Sequence, residues 1–491
     1  MIDLTIHHEN LAHNIRKARE NRVVIPTYRQ MKHPETIPGV IRDRLKAVGL
    51  WDVDPLNLFR ITWKNEAKET GGLYQDVPNY IELPPSLTGV PARIVCLVGK
   101  WFPTGCHKVG ASYGCLVPRL VTGQFDATTD HAVWPSTGNY CRGGAFNSKL
   151  LAVDSVAILP EGMSRERFDW LRSIAGQVIA TPGCESNVKE IFDKANELKR
   201  QPHMMVFNQF EEMGNHLWHY QVTGDAIATV FEHVKRPGDR MAGACFTSGS
   251  AGTIGCGDYL KEQYPAMRLA VGEALQCPTI LNNGFGGHRI EGIGDKHIPW
   301  IHNVKNTDMV IAIDDEDSQR LLRLFNDPAG LRYLGTEAGV DEETLSRLSW
   351  LGISGIANVL CCIKMAKYYE LTGRDVVCTV LTDSAAMYGS RIQELSAQYG
   401  PYDAAAAAVD HQLHMLGLRT DSMEELTYQG RKRVHNLKYY TWVEQQGRTV
   451  DELNDLWYDE EKTWKGVHAQ ADELDGLIEA FNEATGVLKS L

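Results

Sequence analysis

Between residues 93 and 381 the chain alternates short, β-branched apolar runs with stretches of helical periodicity. The runs cover residues 94–98, 156–159, 177–180, 204–207, 241–246, 268–271, 309–313 and 376–381. Each is strand length, and turn signals or helical stretches of about 10–20 residues lie between most of them. Parallel neighbours need such crossovers, and strands covered on both faces read as unbroken apolar text. The pattern predicts an α/β core of mainly parallel sheets flanked by helices, ending near residue 400. Before it, Pro26, Pro34, Pro38, Pro55, Pro78, Pro84 and Pro85 interrupt every helical run, because proline removes a backbone donor and blocks helix continuation. Residues 1–90 therefore read as a wrapped arm with short helices. After Pro401, apolar residues at Leu453, Leu456, Trp457, Trp464, Val467, Leu474, Leu477, Ile478, Phe481 and Leu488 recur at helical spacing. That predicts a helical extension over 401–491, bracing the core or a second subunit. The alanine patch at 404–408 reads as a short, tight helix.

Composition narrows the class. The 491 residues are 43% hydrophobic and 23% charged, a globular mixture that excludes wholesale disorder. Lys+Arg number 50 against 62 Asp+Glu, a formal charge of −12 with no basic cluster, which argues against a nucleic-acid partner. The 11 cysteines are odd in number and form no C-x-x-C pair, as expected of reduced thiols in the cytoplasm. Residues 1–10 lack an apolar signal core, and no apolar run of about 18 residues occurs, so no membrane span is expected.

Ligands of open α/β sheets sit beyond the carboxyl ends of strands, and four strand-to-turn junctions carry candidate chemistry. The first, 103–110, places Lys108 where a helix opens beside a glycine turn. Such an amine is a nucleophile toward a carbonyl when its surroundings lower its pKa, and an ordinary surface lysine otherwise. The second, 135–140, offers Ser136, Thr137 and Asn139 around Gly138, either donors to a carboxylate or a helix cap. The third runs Thr247-Ser248-Gly249-Ser250-Ala251-Gly252-Thr253. Small residues there let backbone N–H groups close on a phosphate at a helix N-terminus, although neither nucleotide-loop pattern is present. The fourth ends the last core strand at Thr382-Asp383-Ser384, where a hydroxyl can meet a heteroaromatic nitrogen or cap a helix.

In this order, the four junctions resemble the fold-type II pyridoxal-phosphate-dependent enzymes, the cysteine synthase and tryptophan synthase β group, over about residues 93–400. The strings Gly162-Met163-Ser164-Arg165-Glu166-Arg167, Asn208-Gln209-Phe210-Glu211, the 292–299 stretch and Gly352-Ile353-Ser354-Gly355 are similar to segments of the same group. The resemblance implies a two-lobed enzyme, with 91–215 holding the first part of the core and the small lobe, and 216–400 the large lobe and its phosphate cup. It implies pyridoxal 5'-phosphate held by Lys108, which then shuttles the Cα proton. It assigns Asn139 to the ring hydroxyl, Gly249, Ser250, Ala251, Gly252 and Thr253 to the phosphate, and Ser384 to the pyridine nitrogen. His107 is assigned to the neighbourhood of the phosphate. Ser136, Thr137, Tyr140 and Gln209 would bracket a substrate carboxylate.

A neutral serine on the ring nitrogen makes a weaker electron sink than a carboxylate, favouring loss of a β-substituent over transamination. Asp383 stands one residue away, and a shift by one would put a carboxylate there. The expected activity is β-replacement through an aminoacrylate on a small α-amino acid, of the cysteine synthase type. The alternatives are a β-eliminating lyase or ammonia-lyase, or a non-catalytic partner subunit keeping the fold. A homodimer is implied by resemblance alone. Departures from the pattern are Cys106, Val109 and Gly110 around the lysine, and Tyr140 in place of a small hydroxyl residue. No metal is expected: His216 and His219 lie three apart with no third ligand evident.

Overall fold

The computed structural model describes residues 1–68, 72–136, 138–183, 188–294 and 296–491. Among the described residues, eleven strands form two sheets. The larger contains β1 (Tyr80–Leu83), β2 (Arg93–Val98), β7 (Arg240–Thr247), β8 (Arg268–Ala274), β9 (Met309–Ile313), β10 (Asp375–Leu381) and β11 (Met423–Glu425), in the order β1-β2-β10-β7-β8-β9-β11. The smaller contains β3 (His131–Pro135), β4 (Asp154–Pro160), β5 (Gln177–Thr181) and β6 (Met204–Val206), in the order β5-β4-β3-β6. Among the named strands of the described residues, only the edge strands β1 and β11 join the larger sheet antiparallel. All eight apolar runs became strands, and the α/β architecture of mainly parallel sheets stands as the pattern predicted.

Every residue of β2, β9 and β10 is buried. This is why those runs carry no polar alternation: helix Ile353–Tyr368 covers one face of the larger sheet, with Ile356, Leu360 and Ile363 fully buried. Three strands escaped the pattern. β1 and β11 are edge strands of four and three residues, and β3 holds Trp134 and Pro135 in place of a β-branched run.

The arm and the extension are tied to each other and to the core. Helix His8–Glu20 buries Asn14, whose amide donates to the Leu120 and Phe125 carbonyls (2.9 and 2.7 Å) and accepts from Ala127 N–H (2.7 Å). Three backbone groups are thus satisfied by one side chain. On helix Gly466–Thr485, the Asp475 carboxylate accepts from the Tyr28 and Arg29 amides (2.6 and 3.0 Å), and Asn482 exchanges two hydrogen bonds with the Ile25 backbone. The predicted apolar stripe faces inward at Leu453, Leu456, Trp457, Trp464, Val467, Leu474, Ile478 and Phe481, while Leu488 is exposed. The extension braces this chain's own core. Residues 404–408 open a helix, Ala404–His411, capped by Asp403. Among the described residues no helix is long and apolar enough to cross a membrane.

Candidate active site

The loop after β2 makes a tight turn in which Thr104 and Gly105 both take left-handed conformations (φ +68° and +66°). A buried threonine in that region is strained. The turn delivers Lys108 to the first position of helix Lys108–Thr122. Lys108 is 9% exposed, and its Nζ donates to Ser250 Oγ at 3.0 Å. Helix Asn139–Leu150 lies so close against this segment that a Cβ on Gly143 would stand 2.8 Å from Val109 Cα. Asn147 fixes the crossing by donating to the Val109 carbonyl and to Ser112 Oγ (2.7 and 3.0 Å).

The third junction closes into a cup between β7 and helix Gly255–Gln263. Ala251 adopts φ +62°, and Ser250 Oγ accepts from Asn215 Nδ2 at 3.1 Å as well as from Lys108. The backbone N–H groups of Gly249, Ser250, Ala251 and Thr253 meet no acceptor among the described residues, at the positive end of the following helix. Asn215 also explains Gly252: a Cβ there would lie 2.1 Å from its Oδ1. Gly252→Ala therefore forces the cup apart, at a cost of about 1–3 kcal/mol for the overpacked site. The expected result is affinity for a phosphorylated ligand at least ~10-fold weaker, measured by titration and read at the same time as thermal stability.

Two small cavities meet at Lys108, Gly249, Ser250 and Gly292. The first is bounded by the cup, Asn358 and Thr382; the second by Ser136, Asn139, Tyr140, Gln209 and Phe210. Ser136 Oγ accepts from Gly138 N–H (3.0 Å), and Tyr140 is buried with its hydroxyl unpaired. Thr137 lies outside the described residues. Ser384 is buried at the head of a short turn after β10, and Thr382 borders the cavity. His107 is fully buried, but its ring packs against Trp63 and His219 (centroids 5.5 and 5.1 Å) and makes no hydrogen bond to the cup among the described residues. Burial pushes its pKa well below the usual imidazole value. A more open hollow lined by Arg119, Glu212, Trp300 and Arg448 includes none of the expected site residues.

Sequence reading missed a buried polar network behind Asn139. Its Nδ2 donates to Asp383 Oδ2 (2.7 Å), which also accepts from the Tyr388 hydroxyl (2.8 Å). Arg167 donates to Tyr388 (3.2 Å) and pairs with Glu291 (3.2 Å), and Glu291 pairs with Arg391 (2.6 Å). Burial raises the Asp383 carboxyl pKa, opposed by the Arg167 charge and the two hydrogen bonds. Arg142, buried alongside, is pushed down to about 10 by burial and by Arg167. The one local signal was the Met163-to-Arg167 string.

The histidines of the 216–219 segment part company. His219 bonds Thr223 (2.9 Å), whereas His216 Nε2 meets His468 Nε2 at 2.9 Å, with Asp258 Oδ2 at 3.7 and 4.0 Å from the pair. The two ring centroids are 5.2 Å apart and the planes 7° apart. The two nitrogens thus point at each other along one line, the geometry of an N–H···N hydrogen bond. Three donors converging on an ion about 2 Å from each would look different.

The cup and the buried lysine fit a phosphorylated aldehyde: unpaired amides for the anion, an amine within the cavity, and an unpaired Asn139 Oδ1 on its wall. The family described as pyridoxal-phosphate dependent enzymes matches residues 103–339. A probable cysteine synthase of Bacillus subtilis (strain 168) is 29% identical over 253 residues, half of this chain and 79% of that one. Cystathionine beta-synthase of Saccharomyces cerevisiae is 24% identical over 313 residues, 62% and 58% of the two chains. Two solved structures share the fold: O-ureido-L-serine synthase (20% identity, TM-score 0.55, 67% of this chain and 96% of that one) and the O-acetylserine dependent cystathionine beta-synthase of Helicobacter pylori (24%, 0.53, 64% and 95%). This is a fold-type II, pyridoxal-phosphate-using enzyme architecture. Within it, the chain is similar to the cysteine synthases.

Proposed function

We propose that this protein catalyses β-replacement on a small α-amino acid, exchanging a β-substituent for an incoming nucleophile in the manner of cysteine synthases. The observation carrying the reading is the Lys108 amine, buried on Ser250 where the unpaired amides of the cup meet the Asn139 wall. Bound there, pyridoxal phosphate supplies an aldehyde for the lysine amine and an electron sink that acidifies the substrate Cα–H and lets a β-substituent depart.

The chain's own residues divide the remaining tasks. The amides of Gly249 to Thr253 hold the phosphate, with the dipole of helix Gly255–Gln263 behind them. Asn139 meets the ring hydroxyl. Ser136, Thr137, Tyr140 and Gln209 hold the substrate carboxylate and so align the Cα–H bond with Lys108, which takes that proton. Ser384, neutral, faces the ring nitrogen. Asp383 is already committed to Asn139 and Tyr388, which supports leaving serine there and, with it, elimination and replacement over transamination. His107 tunes the site from beneath the helix start without touching the phosphate. A homodimer in the cytoplasm completes the reading; the burial of the cysteines among the described residues is in keeping with a reducing compartment.

Product analysis tests the proposal. The purified protein, given O-acetylserine or a related β-activated amino acid, is expected to yield a new amino acid only when a nucleophile such as sulfide is added. Keto acid and ammonia formed without any nucleophile would reassign it as a β-eliminating lyase.

A further inference from the structure

Asn139 has two ways to seat its amide, related by a half-turn that swaps oxygen and nitrogen. The structure contains the group that chooses between them. The Asp383 carboxylate is fully buried, its Oδ2 accepting from Asn139 Nδ2 at 2.7 Å and from the Tyr388 hydroxyl at 2.8 Å. Turning the Asn139 amide over would set its carbonyl oxygen against that carboxylate, two acceptors with no proton between them. Asp383 is held in turn. Arg167, fully buried, donates to Tyr388 and pairs with Glu291, and Arg391 closes the chain of contacts. Gly352 leaves room for Asp383 and for nothing more, since a Cβ there would lie 1.9 Å from its Oδ1. A buried carboxylate this confined has no freedom to swing toward another partner.

We infer that Asp383 is a positioning residue: it fixes the Asn139 amide so that one N–H and the unpaired Oδ1 face the cavity bordered by Lys108. The inference rests on the proposed cofactor site and deepens it, because it names what sets the hydrogen-bonding face presented to the ring hydroxyl. It separates two roles that adjacent residues in the Thr382-Asp383-Ser384 turn could otherwise exchange. Asp383 acts through hydrogen-bond acceptance, and its charge is secondary. Asparagine at 383 can accept both bonds through its carbonyl oxygen; alanine accepts neither.

The test compares wild type, Asp383→Ala and Asp383→Asn, reading the dissociation constant of pyridoxal phosphate from apoprotein titration and the visible absorbance of each holoprotein. Asp383→Ala is expected to bind ~10–100-fold more weakly, with an altered band shape, while Asp383→Asn stays within a few-fold of wild type and keeps its spectrum. Wild-type behaviour of Asp383→Ala overturns the inference. So does an Asp383→Asn variant as impaired as the alanine, which would put the negative charge in command. A second pair of variants decides the matter even where Asp383→Ala does not fold. Asn139→Asp sets two carboxylates together and should weaken binding, and adding Asp383→Asn to it should recover at least several-fold. Failure to recover counts against the inference. If wild type itself takes up no pyridoxal phosphate, the proposed cofactor site falls first, and the two failures are told apart.

Discussion

Lys108→Ala is expected to remove the proposed covalent anchor and to lower turnover by a factor on the order of 10³ or more, with the fold intact. The size of the effect follows from the surroundings. Lys108 is 9% exposed and stands at the first position of its helix, with Nζ 3.0 Å from Ser250 Oγ. Arg142 and Arg167, also buried, carry guanidinium groups that are poor nucleophiles at neutral pH. Losing both nucleophile and base from one position removes two contributions, of which proton transfer alone is worth about 10²–10⁴. Alanine is the best helix former, so unfolding is not the expected cause. Borohydride treatment of wild-type holoprotein followed by peptide mass analysis should find the reduced adduct on the Lys108 peptide, and Lys108→Ala should carry none. Lys108→Arg keeps a cation and loses the adduct as well, which separates charge from covalency. Tagging of a different lysine would overturn the assignment.

Much of the framework was readable in advance because parallel strands buried on both faces cannot hide their composition. β2, β9 and β10 are wholly buried, and each appeared as an unbroken apolar run. The cup was readable for a similar reason: backbone can approach an anion only where side chains are small, so Gly249 to Thr253 announce themselves locally. What stayed hidden was made by long-range packing. Asn139, Arg167, Glu291, Asp383, Tyr388 and Arg391 converge from separate segments, and no spacing rule relates them. His216 was paired in sequence with His219, three residues away; the fold pairs it with His468, 252 positions on. His107 illustrates the same point. It stands beside Lys108 in sequence, and packing turns its ring toward Trp63 and His219, contacts that the local text does not announce.

The second large effect concerns acid. Buried histidines are held neutral, chiefly by burial: outside the His216–His468 pair, His107 and His219 are pushed well below the usual imidazole value, His288 down to about 4, His297 and His302 to about 3, and His435 to about 2. Unfolded, each would take its proton near pH 6.5. Below that pH the unfolded chain binds more protons than the folded one, so stability falls as pH falls. Glu273 works the other way. Burial raises it to about 7, so the folded protein keeps its proton between about pH 4.5 and 7 where the unfolded chain releases it, and this contribution is lost as pH rises. Asp258 is likewise raised to about 7, but the neutral buried histidines outnumber these two carboxyls, so unfolding takes up protons between pH 6 and 5 at ~1.4 kcal/mol per pH unit for each net proton. Melting temperature should therefore be flat from pH 7 to 8 and drop steeply below 6. His297 isolates the cause, since its ring is enclosed by Phe192, Phe210 and Trp442 (centroids 5.3, 4.9 and 5.7 Å) with Nε2 unpaired. His297→Phe fills the same volume with a ring that cannot take a proton, and should shallow the acid slope by ~1.4 kcal/mol per pH unit while leaving stability at pH 8 within about 1 kcal/mol of wild type. An unchanged slope in that variant would mean that the His297 site opens to water before the chain unfolds.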